Sequence, residues 1–151
     1  MKIVLNRSYG AFSLSPAAIC RYFELLQIPV YFYLQVKYKN RDRYDEWRLV
    51  STDELSAEQS YLKTNTNYGI SFREIPDNFQ HINVAAIDRT SDALVQTVEE
   101  LGSKSYGKYS YLEIFDIPDI PREDYYIDDY DGMETVHEKH RTWPSNEYRR
   151  R

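Results

Sequence analysis

The stretch Lys2-Ile3-Val4-Leu5-Asn6-Arg7-Ser8-Tyr9-Gly10-Ala11-Phe12 opens the chain and decides how the fold begins. Its first half is a short, continuous apolar run, which predicts a buried strand. Gly10 and small residues then mark a loop as far as Leu14. A helix begins at Ser15 and Pro16, because serine is a good N-cap and proline lacks only an N–H that has no partner in the first helical turn.

Strand and helix patterns alternate along the rest of the chain. We predict strands at residues 30–38, 47–50, 82–87, 109–117, 125–130 and 133–138, and helices at about 15–27 and 91–101. Asp131-Gly132 between the last two strands is a strong hairpin signal. These elements predict one α+β domain over residues 1–143, with a single mixed sheet that carries both helices on one face, and an exposed tail at 144–151.

Composition excludes several classes of protein. The chain has 151 residues, the size of one domain, and its 15 tyrosines stand out against 6 phenylalanines and 2 tryptophans. This aromatic content excludes a disordered tail, and no apolar run approaches the ~20 residues that span a bilayer. We therefore expect a folded domain that does not enter the membrane. Cys20 is the single cysteine, so no disulfide or paired-cysteine metal site is expected, and a reducing compartment is favoured.

Charge is distributed unevenly. The formal net charge is −5, but residues 1–50 are net basic and the later residues are net acidic. Nonspecific binding to nucleic acid requires neutralisation of phosphates, so an acidic protein is not expected to bind bulk nucleic acid. The basic first third still allows local binding of an anion.

Two predicted strand-to-helix loops hold the candidate ligand-binding residues. Such loops face the ligand crevice of many α/β sheets, where helix N-termini and arginines bind anions. If the two strands ran parallel, both loops would meet at one sheet edge and form a notch for a nucleotide or another phosphate. The local alternative is that these side chains bond to neighbouring groups and plug the core. The candidates are Asn6, Arg7, Tyr9, Gly10, Phe12, Asp88, Arg89 and Thr90.

The histidines give a weaker, catalytic hypothesis. His140 is a candidate general base, with Asp131 or Glu134 as its orienting carboxylate. His137 and His140 would share a helix face but not a strand face, and a strand is predicted here, so no metal site is expected. No cofactor is expected either. The alternative is that His140 is hydrogen-bonded in a segment that Trp143 anchors to the core.

The tyrosines cluster on the two predicted hairpins. Tyrosine is large, fairly rigid and amphipathic, and is therefore favoured at contact surfaces. Each cluster could contact a protein partner or a second copy of the chain; alternatively, alternate tyrosines line the core. The candidate interaction residues are Tyr31, Tyr33, Tyr38, Tyr125, Tyr126 and Tyr130.

The two ends of the chain resemble a family of small uncharacterised proteins encoded by bacteriophages and large DNA viruses. The resemblance rests on Asn6-Arg7-x-Tyr9-Gly10-x-Phe12 at the start and on Glu138-Lys139-His140-Arg141-Thr142-Trp143 near the end. It implies a viral origin and a shared fold, with the protein in the host cytoplasm or associated with the virion. The chain departs from the family at Ser8, where cysteine is frequent, which argues against cysteine chemistry.

Three functions follow from these patterns, in order of support. The first is a non-catalytic interaction module, a virus-encoded accessory or virion protein, with a tyrosine-rich contact surface for a protein partner or for itself. The second is binding or sequestering of a nucleotide or other phosphate at the Arg7 and Arg89 notch. The third is a hydrolase or transferase that uses His140.

Overall fold

The computed structural model describes residues 1–38, 45–56 and 59–139. Helices and strands follow one another in a mixed order, with short 3-10 turns between them. They are β1 (Lys2–Asn6), α1 (Pro16–Leu25), β2 (Tyr31–Val36), β3 (Glu46–Val50), β4 (Leu62–Thr64), β5 (Ser71–Phe72), α2 (Asp92–Leu101), β6 (Leu112–Asp116), β7 (Tyr125–Tyr130) and β8 (Met133–Glu138). The fold class is α+β, as the sequence predicts.

The strands of the described residues form three antiparallel sheets, which corrects the prediction of a single mixed sheet. β1 pairs with β6, the order β4-β2-β3-β5 makes a four-stranded sheet, and β7 pairs with β8. The predicted strand at 82–87 is a 3-10 turn at Val84–Ala86, because the Asn83 side chain accepts a hydrogen bond from the N–H of Ala85 and closes the chain locally. Without that strand, β1 has no parallel neighbour.

β1 is buried on both faces, as its apolar run predicts. Val4 faces a core cluster that contains both helices, with Ile19 from α1 and Leu94 from α2. Ile3 and Leu5 face a second cluster formed with Tyr125 of the β7–β8 hairpin. A strand with two covered faces needs apolar side chains at successive positions. The helices therefore cover one face of the β1–β6 pair, and the hairpin covers the other.

Both helices begin at the predicted capping residues. The Ser15 side chain accepts a hydrogen bond from the N–H of Ala18, and the Ser91 side chain accepts one from the N–H of Leu94. Each bond satisfies an N–H that has no partner within the helix. α2 ends at Leu101, as predicted, and Gly102 follows with a positive φ of 55°.

The four-stranded sheet fills the middle of the chain. The β2–β3 hairpin is predicted correctly, whereas β4 and β5 are short strands in a segment, 51–80, whose polar pattern gives little signal. Tyr33 of β2 is fully buried against Phe72 and Phe79. The end of the predicted domain at 140–143 and the predicted tail at 144–151 lie outside the described residues, so these two boundaries remain predictions.

The Asp131-Gly132 turn joins β7 to β8, and both its residues have positive φ, 52° and 94°. This is the conformation that the hairpin signal predicts. Gly132 also packs directly on the carbonyl oxygen of Gly10, so there is no room for a Cβ atom at this position. The turn is therefore docked against the loop that follows β1.

Replacement of Gly132 by alanine should destabilise the protein through a steric clash as well as through backbone strain. Gly69→Ala is the matched control, since Gly69 has a similar φ of 99° but no atom near the position of a Cβ. We expect a loss of about 1–2 kcal/mol for Gly69→Ala from the left-handed backbone alone. Gly132→Ala should cost about 1–3 kcal/mol more. Equal free energies of unfolding for the two variants, measured by urea denaturation, would contradict the docked turn.

Candidate functional site

Asn6, the last residue of β1, is a buried hydrogen-bonding centre that joins three chain segments. Its side-chain N–H groups lie near three carbonyl oxygens, those of Ser8, Gly10 and Gly132, and the shortest distance is 2.7 Å, to Gly132. Its side-chain oxygen accepts hydrogen bonds from the Ser8 hydroxyl and from the N–H of Tyr111. One amide therefore holds together the loop after β1, the segment before β6 and the turn between β7 and β8.

Glu134 of β8 supplies a buried carboxylate to the same region. One of its oxygens accepts hydrogen bonds from the N–H of Asn6 at 2.8 Å and from the guanidinium of Arg89 at 2.5 Å. The exposed fractions of the Arg89 and Glu134 side chains are 10% and 4%. Arg7 donates a hydrogen bond to the backbone oxygen of Glu134 at 2.6 Å. Arg7 and Arg89, the two arginines of the predicted notch, therefore both bind Glu134 of the protein itself.

Phe12 covers the buried ion pair. The guanidinium of Arg89 lies 3.5 Å from the centre of the Phe12 ring, which is a cation–π contact shielded from water. A second aromatic ring, that of Phe115, lies 5.9 Å from the guanidinium of Arg7. These contacts correspond to the local alternative for these side chains. Glu134 neutralises the charge of Arg89, and the Phe12 ring packs on the face of the Arg89 guanidinium.

The other predicted ligand residues divide between this junction and the surface. Gly10 lies against the backbone of Tyr109, where a Cβ would not fit, whereas the Tyr9 side chain is 69% exposed. Exposed Asp88 accepts hydrogen bonds from the N–H and the hydroxyl of Thr90, a local turn before α2. Asp88 therefore does not pair with Arg89.

A cleft of about 460 Å³ opens above the Arg89–Glu134 pair. Both signs of charge line it, because Arg122, Asp88 and Asp129 surround the buried pair. Its three carboxylates outnumber its two arginines, so it offers no surplus of positive charge to an anion.

A second cavity of about 570 Å³ lies beside Phe12, which forms part of its wall. Its walls come from the loop at 11–14, from residues 59–63 and 82–85, and from Lys108 and Tyr109. Lys63 is half-buried there, with its ammonium 5.4 Å from the centre of the Tyr61 ring, and burial lowers the pKa of this lysine. Burial also raises the pKa of Tyr61 to about 12, which keeps its hydroxyl protonated.

The catalytic candidates are only partly described. His140 lies outside the described residues, so the hypothesis of a general base at this position remains a prediction. Asp131 is exposed and occupies the positive-φ position of the hairpin turn. The carboxylate of Glu134 is bound by Arg89 and by the backbone of Asn6. Its contacts are those of a structural ion pair.

The candidate interaction tyrosines differ in exposure. Tyr33 and Tyr125 are buried in the core, so they offer no contact surface, which corrects their assignment. Tyr31 and Tyr38 are partly buried, and the hydroxyl of Tyr38 donates a hydrogen bond to Glu46. The exposed members are on the β7–β8 hairpin: Tyr126, which stacks on His137, and Tyr130.

Three exposed tyrosines lie on the three segments that Asn6 joins, and we call them the tyrosine cluster: Tyr9, Tyr109 and Tyr130. The rings of Tyr9 and Tyr130 are in edge-to-face contact at 6.5 Å, and Tyr109 packs on Gly10, the neighbour of Tyr9. The sequence pattern predicts a strand that includes Tyr109, whereas β6 begins only at Leu112, so Tyr109 is not predicted as a surface residue. The useful signal is the run of turn-forming residues around it, with Gly107 before and Ser110 after.

The sequence predicts Glu134 as a catalytic carboxylate rather than as a structural one, although the alternation of residues along β8 indicates that it faces inward. Glu134 alternates with Val136 along β8, and both share a face with Ile127 of the paired strand. A carboxylate in an inward-facing row requires a buried cation, and Arg89 is that cation.

Comparison of the chain with protein-family models, with curated protein sequences and with solved structures gave no match. The resemblance to virus-encoded proteins therefore remains a prediction from the motifs. Within residues 1–38, 45–56 and 59–139, no helix has the length and apolar character needed to cross a membrane. The same residues contain no cluster of three or more histidine, cysteine, aspartate or glutamate side chains arranged to hold a metal ion.

Replacement of Glu134 by glutamine should be strongly destabilising, because the charge of Arg89 would remain buried without a counterion. A loss of about 3–5 kcal/mol in the free energy of unfolding is expected. The matched control is Glu99→Gln, which removes the exposed ion pair with Lys2; water screens such a pair, so its loss should be much smaller. Similar losses for both variants in chemical denaturation would mean that the buried pair is not a structural anchor.

Lys63→Met should change how stability depends on pH. Burial lowers the pKa of Lys63 in the folded protein. Between that lowered pKa and the ordinary lysine pKa of the unfolded chain, the unfolded state binds more protons, so the stability of the wild type rises with pH. Methionine cannot titrate. The variant should therefore gain melting temperature relative to the wild type at neutral pH and lose this advantage as the pH becomes alkaline.

Lys104→Met, at an exposed lysine, is the control for this pH series. Its melting temperature should follow that of the wild type at every pH. A constant difference between Lys63→Met and the wild type across the alkaline range would contradict the burial of a charged lysine.

Proposed function

We propose that the protein is a non-catalytic binding module that associates with a second copy of itself through the tyrosine cluster. The observation that carries the proposal is the conformation of Tyr109. This bulky residue has a positive φ of 66°, and its side chain is 74% exposed. A left-handed backbone at such a residue costs free energy, and the exposed ring recovers none of it through packing in the core. Backbone strain of this kind is typical of residues that bind a ligand or a partner.

The cluster stands on a rigid base, which favours a contact surface. Its three tyrosines leave three different segments, and the buried side chain of Asn6 bonds to all three. Little conformational entropy is lost on binding when the backbone beneath a surface is already fixed. Tyrosine rings add large contact area at low entropic cost.

Charges at the rim of the cluster are of both signs, which fits a second copy as the partner. The ammonium of Lys108 lies 5.1 Å from the centre of the Tyr109 ring. Asp129 and Asp131 lie beside Tyr130 on the hairpin and are exposed. In the proposed dimer, Lys108 of one copy pairs with the acidic hairpin of the other, the self-complementary arrangement that a symmetric dimer needs.

The resemblance to virus-encoded proteins favours an accessory or virion-associated role for this module. That part of the proposal rests on the sequence motifs at the two ends of the chain.

Tyr109→Asn tests the proposal, since asparagine tolerates a left-handed backbone and removes the ring. The variant should be as stable as the wild type or more stable, and it should dimerise at least about tenfold more weakly, a difference of ~1.4 kcal/mol. Sedimentation equilibrium from micromolar to millimolar concentration measures the association, and thermal unfolding measures the stability.

The control is Tyr126→Ser, which removes an exposed tyrosine that stacks on His137 rather than on the cluster. Its association should match that of the wild type. A wild type that stays monomeric over the whole range, or a Tyr109→Asn variant that dimerises equally well, would overturn the proposal.

A further inference from the structure

The cavity beside Phe12 has the size of a small-molecule site. Its volume of about 570 Å³ falls within the ~300–1,000 Å³ of typical ligand pockets. Four separate parts of the chain form its walls: the loop at 11–14, the start of β4, the 3-10 turn after Asn83 and the Lys108-Tyr109 pair. It is distinct from the notch predicted from sequence, because neither Arg7 nor Arg89 lines it.

Lys63 is the feature of this cavity that most needs an explanation. Its ammonium is half-buried, and no carboxylate of the described residues pairs with it. A charged group that leaves water without a counterion costs free energy. The lowered pKa of Lys63 reflects this same cost. An anion that enters the cavity from solution would offset it.

Other hydrogen-bond donors line the same space. Lys108, a second lysine, also lines the cavity, and it makes no ion pair within the described residues. The side-chain oxygen of Asn83 accepts a hydrogen bond from the N–H of Ala85, so its amide N–H groups are the part left for a ligand. None of the described lining residues is acidic, although the protein has a net charge of −5.

Three aromatic side chains complete the lining: Phe12, Tyr61 and Tyr109. Aromatic rings in a pocket stack on flat, conjugated ligands and exclude water from their faces. The protonated hydroxyl of Tyr61 adds a donor of its own. The cavity thus combines ammonium groups, neutral donors and aromatic faces.

We propose that this cavity binds a small organic phosphate that carries a planar ring, of the nucleoside monophosphate class, with Lys63 and Lys108 holding the phosphate. An aromatic wall then contacts the ring. The cleft above Arg89 and Glu134 does not compete for this ligand, because its three carboxylates outnumber its two arginines.

Isothermal titration calorimetry with adenosine monophosphate tests the proposal, with guanosine, cytidine and uridine monophosphates in parallel. At least one nucleotide should bind, and adenosine or inorganic phosphate alone should bind at least about tenfold more weakly. Lys63→Met should weaken nucleotide binding at least about tenfold, since the ammonium is removed and the fold is retained. Lys104→Met, which makes the same change of charge at an exposed site, should bind as the wild type does.

Three results would overturn the proposal: no binding of any of the four nucleotides, equally tight binding of adenosine or of phosphate alone, or unchanged binding by Lys63→Met. Circular dichroism checks that each variant is folded. If Lys63→Met fails to fold, Lys108→Met and Asn83→Ala take its place, and unchanged nucleotide binding by both would again overturn the proposal. Lys63 and Asn83 lie outside the tyrosine cluster, so their variants test the cavity separately from dimerisation, whereas Lys108 and Tyr109 belong both to the cavity and to the proposed dimer surface.

Discussion

The carboxylate of Glu134 is the constraint on which the arrangement of the chain depends. It is buried, and a buried carboxylate is tolerated only where donors surround it. Arg89 supplies the counterion and the N–H of Asn6 a further donor, so one oxygen connects the hairpin, the start of α2 and the end of β1. The apolar clusters on the two faces of β1 permit many alignments of the hairpin, whereas this carboxylate permits one. The polar junction sets the register of the packing, and the apolar side chains supply most of its free energy.

The same junction decides what the predicted ligand notch can do. Two arginines beside helix starts were expected to attract an external anion, and in the structure they are bound to the side chain and the backbone of Glu134. Positive charge that pairs with no carboxylate of the described residues is found instead at Lys63, in the cavity that Phe12 also lines. Phe12 therefore contacts two environments: the Arg89 guanidinium, whose charge Glu134 matches, and a cavity with two lysines and no acidic lining residue.

Local features of the fold could be predicted from sequence because their causes are local. Ser15 and Ser91 cap helices through bonds to residues three positions away, and Asp131-Gly132 makes its turn with its own backbone. The pairing of β1 with β6 could not be predicted, since the sequence of neither strand indicates which strand it pairs with. The prediction of a strand at 82–87 is wrong. The apolar residues there are typical of a strand, but the side chain of Asn83 closes a 3-10 turn. The sequence predicts that Arg7 and Arg89 meet only if their two strands run parallel; in the structure both bind Glu134 instead. Alternation along β8 places Glu134 on the inward face, but it does not indicate which cation Glu134 binds.

Asn6 has a consequence for how the protein folds during synthesis. The residue that its N–H contacts, Glu134, lies 128 positions later in the sequence, and the strand that pairs with β1 begins at Leu112. Contacts between such distant positions raise the contact order, which slows folding. During synthesis β1 must therefore wait, unpaired and with an exposed apolar run, until β6 and the β7–β8 hairpin have emerged. The fold closes in a late step that joins β1 to these strands, and over that interval Ile3-Val4-Leu5 is a segment that a chaperone would need to shield.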